Sequence, residues 1–166
     1  VQAITRDVLK DIGYERAKYG FDCETCGVLN AIHDQSADIA MGVDESYETQ
    51  HGEVIKGDEF DQVGAGDQGM MFGYACNETK TLMPLPIYAA HRLAERLTFV
   101  RKQGIVPHLR PDGKTQVTVR YEDGHPVHVE KVLVSTQHSE EVGVDWLREQ
   151  MIEHVINPLF EEEGFV

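Results

Sequence analysis

The sequence lacks the apolar segments that membrane insertion or secretion would need. None of its runs approaches the roughly 18 uninterrupted apolar residues of a membrane span. Residues 1–7 contain no basic region followed by an apolar stretch, so they do not form a secretory signal. We therefore expect no membrane association.

Basic residues are also scarce. The chain has 15 Lys and Arg against 29 Asp and Glu, and its formal charge is −14. A surface this acidic repels a phosphate backbone, so nucleic-acid binding is not expected. The charge does not exclude a nucleotide ligand, which requires only a local cluster of donors.

Cysteine is rare: Cys23, Cys26 and Cys76 are the three in the chain. An odd number without a secretory signal indicates a reducing, cytoplasmic setting. Cys23 and Cys26 have CxxC spacing, but no second Cys or His pair at matching spacing would complete a zinc site. The second Cys leads into an apparent strand, unlike that of a thioredoxin-like redox motif. We expect ordinary packed or surface thiols, with metal and redox roles as the weaker alternatives.

Apolar periodicity predicts a mixture of helices and strands. Helices are predicted over residues 4–12, ended by Gly13, over 87–103, ended by Gly104, and over 144–157, stopped by Pro158. Strands are predicted over residues 27–32, 70–76, 117–121 and 127–135, the last two joined by an Asp123-Gly124 turn. The second helix has a buried stripe made of Ala89, Leu93, Leu97 and Val100. This order predicts an α+β fold, with helices on one face of a mostly antiparallel sheet.

Residues 42–63 have almost no apolar pattern. They carry seven acidic residues and one basic residue, Lys56. Such a segment buries too little apolar surface to offset its ordering entropy, so a mobile loop is predicted. Long loops inside compact domains are usually functional lids or linkers, and the alternative is an ordinary solvated surface loop.

Residues 64–69 match the G-x-G-x-x-G pattern of dinucleotide-binding proteins. In those proteins a strand leads into the motif and a helix leads out. Here an acidic loop precedes the motif and an apparent strand follows it, so that interpretation fails on both sides. The glycines still permit close approach of the backbone to a ligand, with Asp67 presented at the tip.

The motif and its continuation to residue 75, Gly-Ala-Gly-Asp-Gln-Gly-Met-Met-Phe-Gly-Tyr-Ala, resemble the signature of S-adenosylmethionine synthetases. Residues 31–36, 109–117 and 135–140 resemble further stretches of the same family, in the expected order. The chain lacks an initiator Met and opens directly into a helical pattern, as an internal piece of a longer protein would. The resemblance covers nearly the whole chain.

The resemblance implies roles for individual residues. Asp112, Gly113 and Lys114 are similar to the family's nucleotide-contacting triplet, and Lys114 would neutralise phosphate charge. Gln35 resembles its methionine-binding glutamine, and Asp67 the acid near the methionine or the adenosyl group. Asp67 and Lys114 are thus the candidate catalytic residues.

Taken alone, each of these residues has a simpler interpretation. Residues 110–114 would be a polar turn before a strand, Gln35 a surface amide, and Asp67 a turn former. His138 is assigned to structure or to an interface, because nothing near it in sequence looks like a nucleophile for it to activate.

For the complete enzyme, the resemblance implies synthesis of S-adenosylmethionine from ATP and L-methionine, with release of pyrophosphate and phosphate. Mg²⁺ and K⁺ would be bound mainly by residues outside this segment, and the enzyme would be a homodimer or homotetramer. The family's repeated β-α-β-β-α-β domains imply four parts here. Residues 1–34 would end one domain, 35–63 form the mobile acidic active-site loop, 64–80 hold the glycine motif and a strand of a second domain, and 81–166 form most of a third.

Two other functions remain open from the sequence. The chain could be a catalytically inactive folding or oligomerisation module, since the family's N-terminal and C-terminal active-site motifs are not in it. It could also be an unrelated small nucleotide-binding protein with a similar glycine motif.

Overall fold

The computed structural model describes residues 1–53 and 60–165. Residues 54–59, which belong to the predicted acidic loop, lie outside the described part of the chain. The chain divides into two compact units. The larger contains residues 1–28 and the chain from Tyr74 onwards, and the smaller contains Leu29–Gly73.

The described residues form helices in both units and a sheet in the larger one. The elements are helix α1 (Gln2–Ile12), helix α2 (Ala37–Val43), helix α3 (Tyr47–His51), helix α4 (Leu85–Lys102), strand β1 (Leu109–Glu122), strand β2 (His125–His138), helix α5 (Val144–Met151) and helix α6 (Asn157–Glu163). Short 3₁₀ turns lie at Ala17–Tyr19 and Phe60–Gln62, and a π-helical turn at Ile152–Ile156 joins α5 to α6.

The core of the larger unit is the apolar stripe of α4 packed against the hairpin of β1 and β2. The predicted stripe is confirmed, because Ala89, Leu93, Leu97 and Val100 are all buried. The sheet contributes the valine pairs Val117–Val132 and Val119–Val129, which lie opposite each other across the two strands. Met151, Val155 and Leu159 close the core from the C-terminal helices. This confirms the α+β class, with antiparallel strands against helices.

The hairpin is formed as its turn residues predict. Asp123 and Gly124 have φ angles of 49° and 81°, and Glu122 pairs with His125. Two consecutive residues with positive φ are those of a type I′ turn, whose twist matches that of the flanking strands. The strands are longer than predicted, at 14 residues each.

The C-terminal helical segment does not stop at Pro158, and the prediction that it would is wrong. Pro158 lies in the first turn of α6, where its missing N–H matters least, and the helix continues to Glu163. In an α-helix, residue 158 would donate to the carbonyl of His154, and proline cannot. The Nε of Arg96 on α4 donates to that carbonyl instead, at 2.9 Å. A π-helical turn and a donor from a neighbouring helix therefore accommodate the proline.

The two other predicted strands are wrong. Leu29 and Ile32 of residues 27–32 are exposed, and so are Met70, Met71 and Phe72 of residues 70–76. Within the described ranges, the sheet consists of β1 and β2, and neither segment pairs with it. Apolar composition does not make a strand unless a second backbone supplies hydrogen bonds.

Part of residues 35–63, the predicted acidic loop, is helical. The hydroxyl oxygens of Ser36 and Ser46 each accept a hydrogen bond from the backbone N–H three residues later in the chain. Ser36 therefore caps the N-terminus of α2, and Ser46 caps that of α3. Asp38 and Glu48 lie in the first turns of these helices, where a negative side chain interacts favourably with the helix dipole and stabilises the helix. These local signals are weak in the apolar pattern but visible in the capping residues.

Two carboxylates tie the N-terminal half of α4 to the rest of the larger unit. Glu78 accepts the N–H of Leu85 at 2.8 Å and the hydroxyl of Tyr121 at 2.7 Å. These two hydrogen bonds hold the pKa of Glu78 below its usual range. The bond from the Leu85 N–H has the larger effect, and the bond from the Tyr121 hydroxyl has the next largest. Burial, together with the bond to the Glu78 carboxylate, raises the pKa of Tyr121 to about 12.

Glu163 is the second carboxylate and connects the end of α6 to α4. It accepts from the Tyr88 hydroxyl at 2.9 Å and from Arg92 Nε at 3.2 Å, and it pairs with Lys80 at 3.3 Å. Burial works to raise the pKa of this carboxyl, but the bonds from Tyr88 and Lys80 and the charges of Lys80 and Arg92 outweigh it. The pKa of Glu163 is lowered as a result.

The Arg96–His154 contact generates a first prediction. Arg96→Met removes the donor to the half-buried carbonyl, and we expect unfolding to become easier by about 1–3 kcal/mol. In a Pro158→Ala background the alanine N–H can bond to His154, so the same substitution should cost less. Thermal unfolding of the four proteins of this double-mutant cycle measures the difference. Equal losses in both backgrounds would show that Arg96 acts by another route.

The Glu78–Tyr121 pair generates a second prediction. The pKa of Tyr121 is raised by folding, so its stabilising contribution is complete below pH 10 and is lost as the pH rises towards 12. A spectrophotometric titration of the folded protein should show one tyrosine ionising near pH 12, and Tyr121→Phe should remove that step. Glu78→Gln should move the step to lower pH. Tyr47→Phe, at an exposed position of the smaller unit, should leave it in place.

Candidate functional site

The candidate nucleotide-contacting residues lie at the beginning of β1. Leu109 pairs with His138 and Gly113 with Thr136, so three residues of β1 lie opposite one residue of β2. This bulge takes residues 110–112 out of the regular ladder, and the hydroxyl of Thr136 approaches the carbonyl of Asp112 at 3.4 Å. Asp112, Gly113 and Lys114 are exposed. The simpler prediction of a polar turn before the strand is wrong, because these residues belong to the strand itself.

Gly113 has a structural reason to be glycine. A Cβ at this position would lie 2.7 Å from Cδ2 of Leu97, which belongs to the buried stripe of α4. A side chain here would push the bulged strand away from the helix or force Leu97 to move. Gly113 therefore sets how closely the triplet lies to α4.

Two arginines that are not among the predicted site residues lie beside this bulge. Arg101, in the last turn of α4, and Arg110 line a small cavity of about 60 Å³ together with Thr98, Pro111 and Gly113. Burial lowers the pKa of the Arg101 guanidinium. The charges of Tyr14 and Asp11 act to raise this pKa, but burial outweighs them. Arg110 stacks over the ring of Tyr19 at 5.1 Å. The sequence gives little reason to assign either arginine to a site. Arg101 is near the end of a predicted helix and Arg110 is before a predicted strand, which are common positions for surface arginines.

The smaller unit contains the other two candidate residues. Gln35 is exposed and directly precedes Ser36, the N-cap of α2. Asp67 is also exposed, and its carboxylate accepts the N–H of Gln68 at 2.7 Å. The loop that carries Asp67 packs against Gly42 near the C-terminal end of α2. Gln35 and this loop are thus separated by the length of α2, roughly 10 Å for seven residues.

The candidate residues therefore fall into two groups. Asp112, Gly113 and Lys114 are consecutive in the larger unit, and Gln35 and Asp67 lie around one helix of the smaller unit. All five are exposed. Exposed carboxylate, amide and ammonium groups can contact a polar, charged ligand, but within either unit they do not form an enclosed pocket by themselves.

The cysteine pair belongs to a turn at the surface of the larger unit. Asp22 accepts the N–H groups of Glu24 and Thr25, and Arg6 donates to the carbonyls of Cys23 and Cys26 at 2.6 and 3.0 Å. The thiols of Cys23, Cys26 and Cys76 are free, and Cys23 is buried. The CxxC spacing is thus accounted for by a turn that α1 holds through one arginine.

His138 ends β2, and its Nδ1 lies 2.8 Å from the carbonyl of Ser139. Across the described ranges, no three His, Cys, Asp or Glu side chains converge in a way that could hold a metal ion. In the same ranges, no helix has the length and apolar content to cross a membrane.

Comparisons with known proteins agree with the sequence motifs. Residues 62–166 match the family model of the S-adenosylmethionine synthetase central domain. The chain is 55% identical over 163 residues to a protein named S-adenosylmethionine synthase from Clostridium botulinum (strain Alaska E43 / Type E3). That match covers 98% of this chain but 41% of the relative, so the chain spans less than half of the relative's length. With the central-domain match extending over more than half of its residues, this chain belongs to the S-adenosylmethionine synthetase family.

Proposed function

We propose that the protein containing this chain synthesises S-adenosylmethionine from ATP and L-methionine, and that the chain supplies part of the active site. The observation that carries this proposal is the 55% identity over nearly the whole chain to a protein named for that activity. The glycine motif and the Asp112–Lys114 triplet are the parts of the chain whose residue types fit the chemistry.

In the proposed reaction the methionine sulfur attacks C5′ of ATP. The new S–C5′ bond forms as the C5′–O bond breaks, and the electron pair of that bond leaves with the triphosphate. The sulfur becomes a sulfonium cation, and the triphosphate is then cleaved by water to pyrophosphate and phosphate. The site therefore has to stabilise two charges: the negative charge on the triphosphate leaving group and the positive charge on the sulfonium.

The candidate residues divide between these two charges. The ammonium of Lys114 is an exposed point charge that can neutralise the charge of phosphate oxygens. The carboxylate of Asp112 can accept a hydrogen bond from a hydroxyl or ammonium group of a ligand. Asp67 carries a negative charge suited to the sulfonium and to the ammonium of methionine. Gln35 offers an amide that can both donate to and accept from the amino acid.

Mg²⁺ and K⁺ are proposed as cofactors held mainly by residues outside this chain, as the family resemblance implies. When bound, such ions would neutralise triphosphate charge. We further propose that the enzyme is a cytoplasmic homodimer or homotetramer, and that residues 35–63 act as an active-site gate. The division into parts of three domains at 1–34, 64–80 and 81–166 is likewise a proposal.

The alternative is a catalytically inactive folding or oligomerisation module. The match covers 41% of the relative, and part of an active site does not by itself catalyse the reaction. Stable self-association of this chain with no ATP binding by calorimetry would support the alternative for the isolated chain. ATP binding that depends on Lys114 would contradict it.

Lys114 provides the first test of the proposed site. In the complete natural polypeptide, Lys114→Met should lower kcat/KM for ATP by about 10²–10³-fold, because a preorganised charge at the leaving group is lost. Lys131→Met is the matched control, since Lys131 is also exposed on the same sheet, opposite Thr118. Steady-state kinetics with ATP varied at saturating methionine gives the comparison. Equal effects of the two substitutions would remove Lys114 from the site.

Asp67 provides a second test, directed at the other substrate. Asp67→Asn keeps the shape but removes the charge, so we expect KM for methionine to rise roughly 10–100-fold. Glu130→Gln, which removes an exposed carboxylate from β2 and outside the proposed gate, serves as control. The measurement is the initial rate as a function of methionine concentration. An unchanged methionine KM in the Asp67 variant would contradict the assigned role.

A further inference from the structure

Three glycines of the smaller unit meet backbone to backbone. A Cβ at Gly64 would lie 2.1 Å from the carbonyl oxygen of Gly42, and a Cβ at Gly66 would lie 2.6 Å from the same oxygen. A Cβ at Gly42 would lie 3.1 Å from Cα of Gly66. Any side chain at Gly64 or Gly66 would therefore separate the glycine motif from α2.

Hydrogen bonds reinforce this contact on both sides of it. The N–H of Gly64 donates to the carbonyl of Val43 at 2.8 Å, and the N–H of Ser46 donates to that of Gln62 at 3.0 Å. The side chain of Gln50 on α3 donates to the carbonyl of Glu45 at 3.2 Å. The two ends of the acidic segment are thus held together by backbone bonds that do not depend on its charged side chains.

The backbone angles do not require glycine at these three positions. Several glycines of the chain have positive φ, including Gly13, Gly52 and Gly124, but Gly42, Gly64 and Gly66 are not among them. Their conformations are therefore open to other residues, and the requirement for glycine comes from the close approach of two backbones. In the glycine motif the missing side chains make room for this chain's own helix α2, and Gly66 is directly followed by Asp67.

We propose that Gly42, Gly64 and Gly66 form a glycine clasp that closes the base of the acidic segment and positions Asp67. The three are positioning residues, since they act through the loop that carries the carboxylate. The effect on catalysis rests on the proposed function, whereas the clasp itself does not. Because Asp67 lies one residue beyond the clasp, opening it frees the carboxylate to move away from the methionine site.

Hydrogen exchange of the complete natural polypeptide tests the clasp directly. The amides of Gly64 and Ser46 should be protected, and Gly66→Ala should reduce that protection at least roughly tenfold. Gly64→Ala should do the same at Ser46. Gly42→Ala, with its longer contact, should give a smaller loss and serves as the milder variant. Gly69→Ala is the matched control, because a Cβ at Gly69 has nothing within 4 Å. Protection that is unchanged in Gly66→Ala, or lost equally in Gly69→Ala, overturns the clasp.

Kinetics of the same variants tests the positioning of Asp67. Gly66→Ala and Gly42→Ala should raise KM for methionine, in the direction of Asp67→Asn, and leave KM for ATP unchanged. A general folding defect would change both. Lost protection with an unchanged methionine KM overturns the positioning role. If the wild-type protein has no synthase activity, the proposed function fails, while the exchange experiment still decides whether the clasp exists.

Discussion

The packing of α4 on the hairpin is the contact on which the larger unit depends. The side chains of Leu93 and Val100, on α4, are fully buried. Burial of a side chain of this size stabilises the folded state by about 1.5–3 kcal/mol. The helix also fixes polar groups, because the hydroxyl of Thr115 on β1 donates to the carbonyl of Ala90 at 2.7 Å. Sheet and helix are thus held in one register by apolar contact and by a specific hydrogen bond.

The same contact determines where the candidate nucleotide residues lie. Gly113 is close enough to α4 that a Cβ would reach Leu97, and the bulge before it exposes Asp112. Carboxylates fix the helix at other points: Glu78 bonds its first N–H, and Glu163 bonds two of its side chains. A helix held in this way is a rigid support for the exposed candidate triplet.

In the smaller unit, close approach of backbones takes the place of a large core. Its described residues bury little apolar surface, and Ile39, Met41 and Tyr47 are exposed. Order comes instead from capped helices and from the contact of Gly64 and Gly66 with Gly42. The loop that carries Asp67 therefore depends on backbone geometry, and even one added methyl group is a large change there.

The sequence by itself determined the elements whose signals are local. The stripe of α4, the Asp123-Gly124 turn and the Gly13 and Gly104 ends depend on periodicity or on a single residue's backbone preference, and all are present. The motif of residues 64–75 likewise identified the family. Tertiary structure decided what depends on a distant partner. Residues 27–32 and 70–76 do not pair within the described sheet, Pro158 is tolerated because Arg96 reaches His154, and the motif glycines pack on Gly42. Each of these outcomes depends on atoms far away in the chain, which local propensity does not specify.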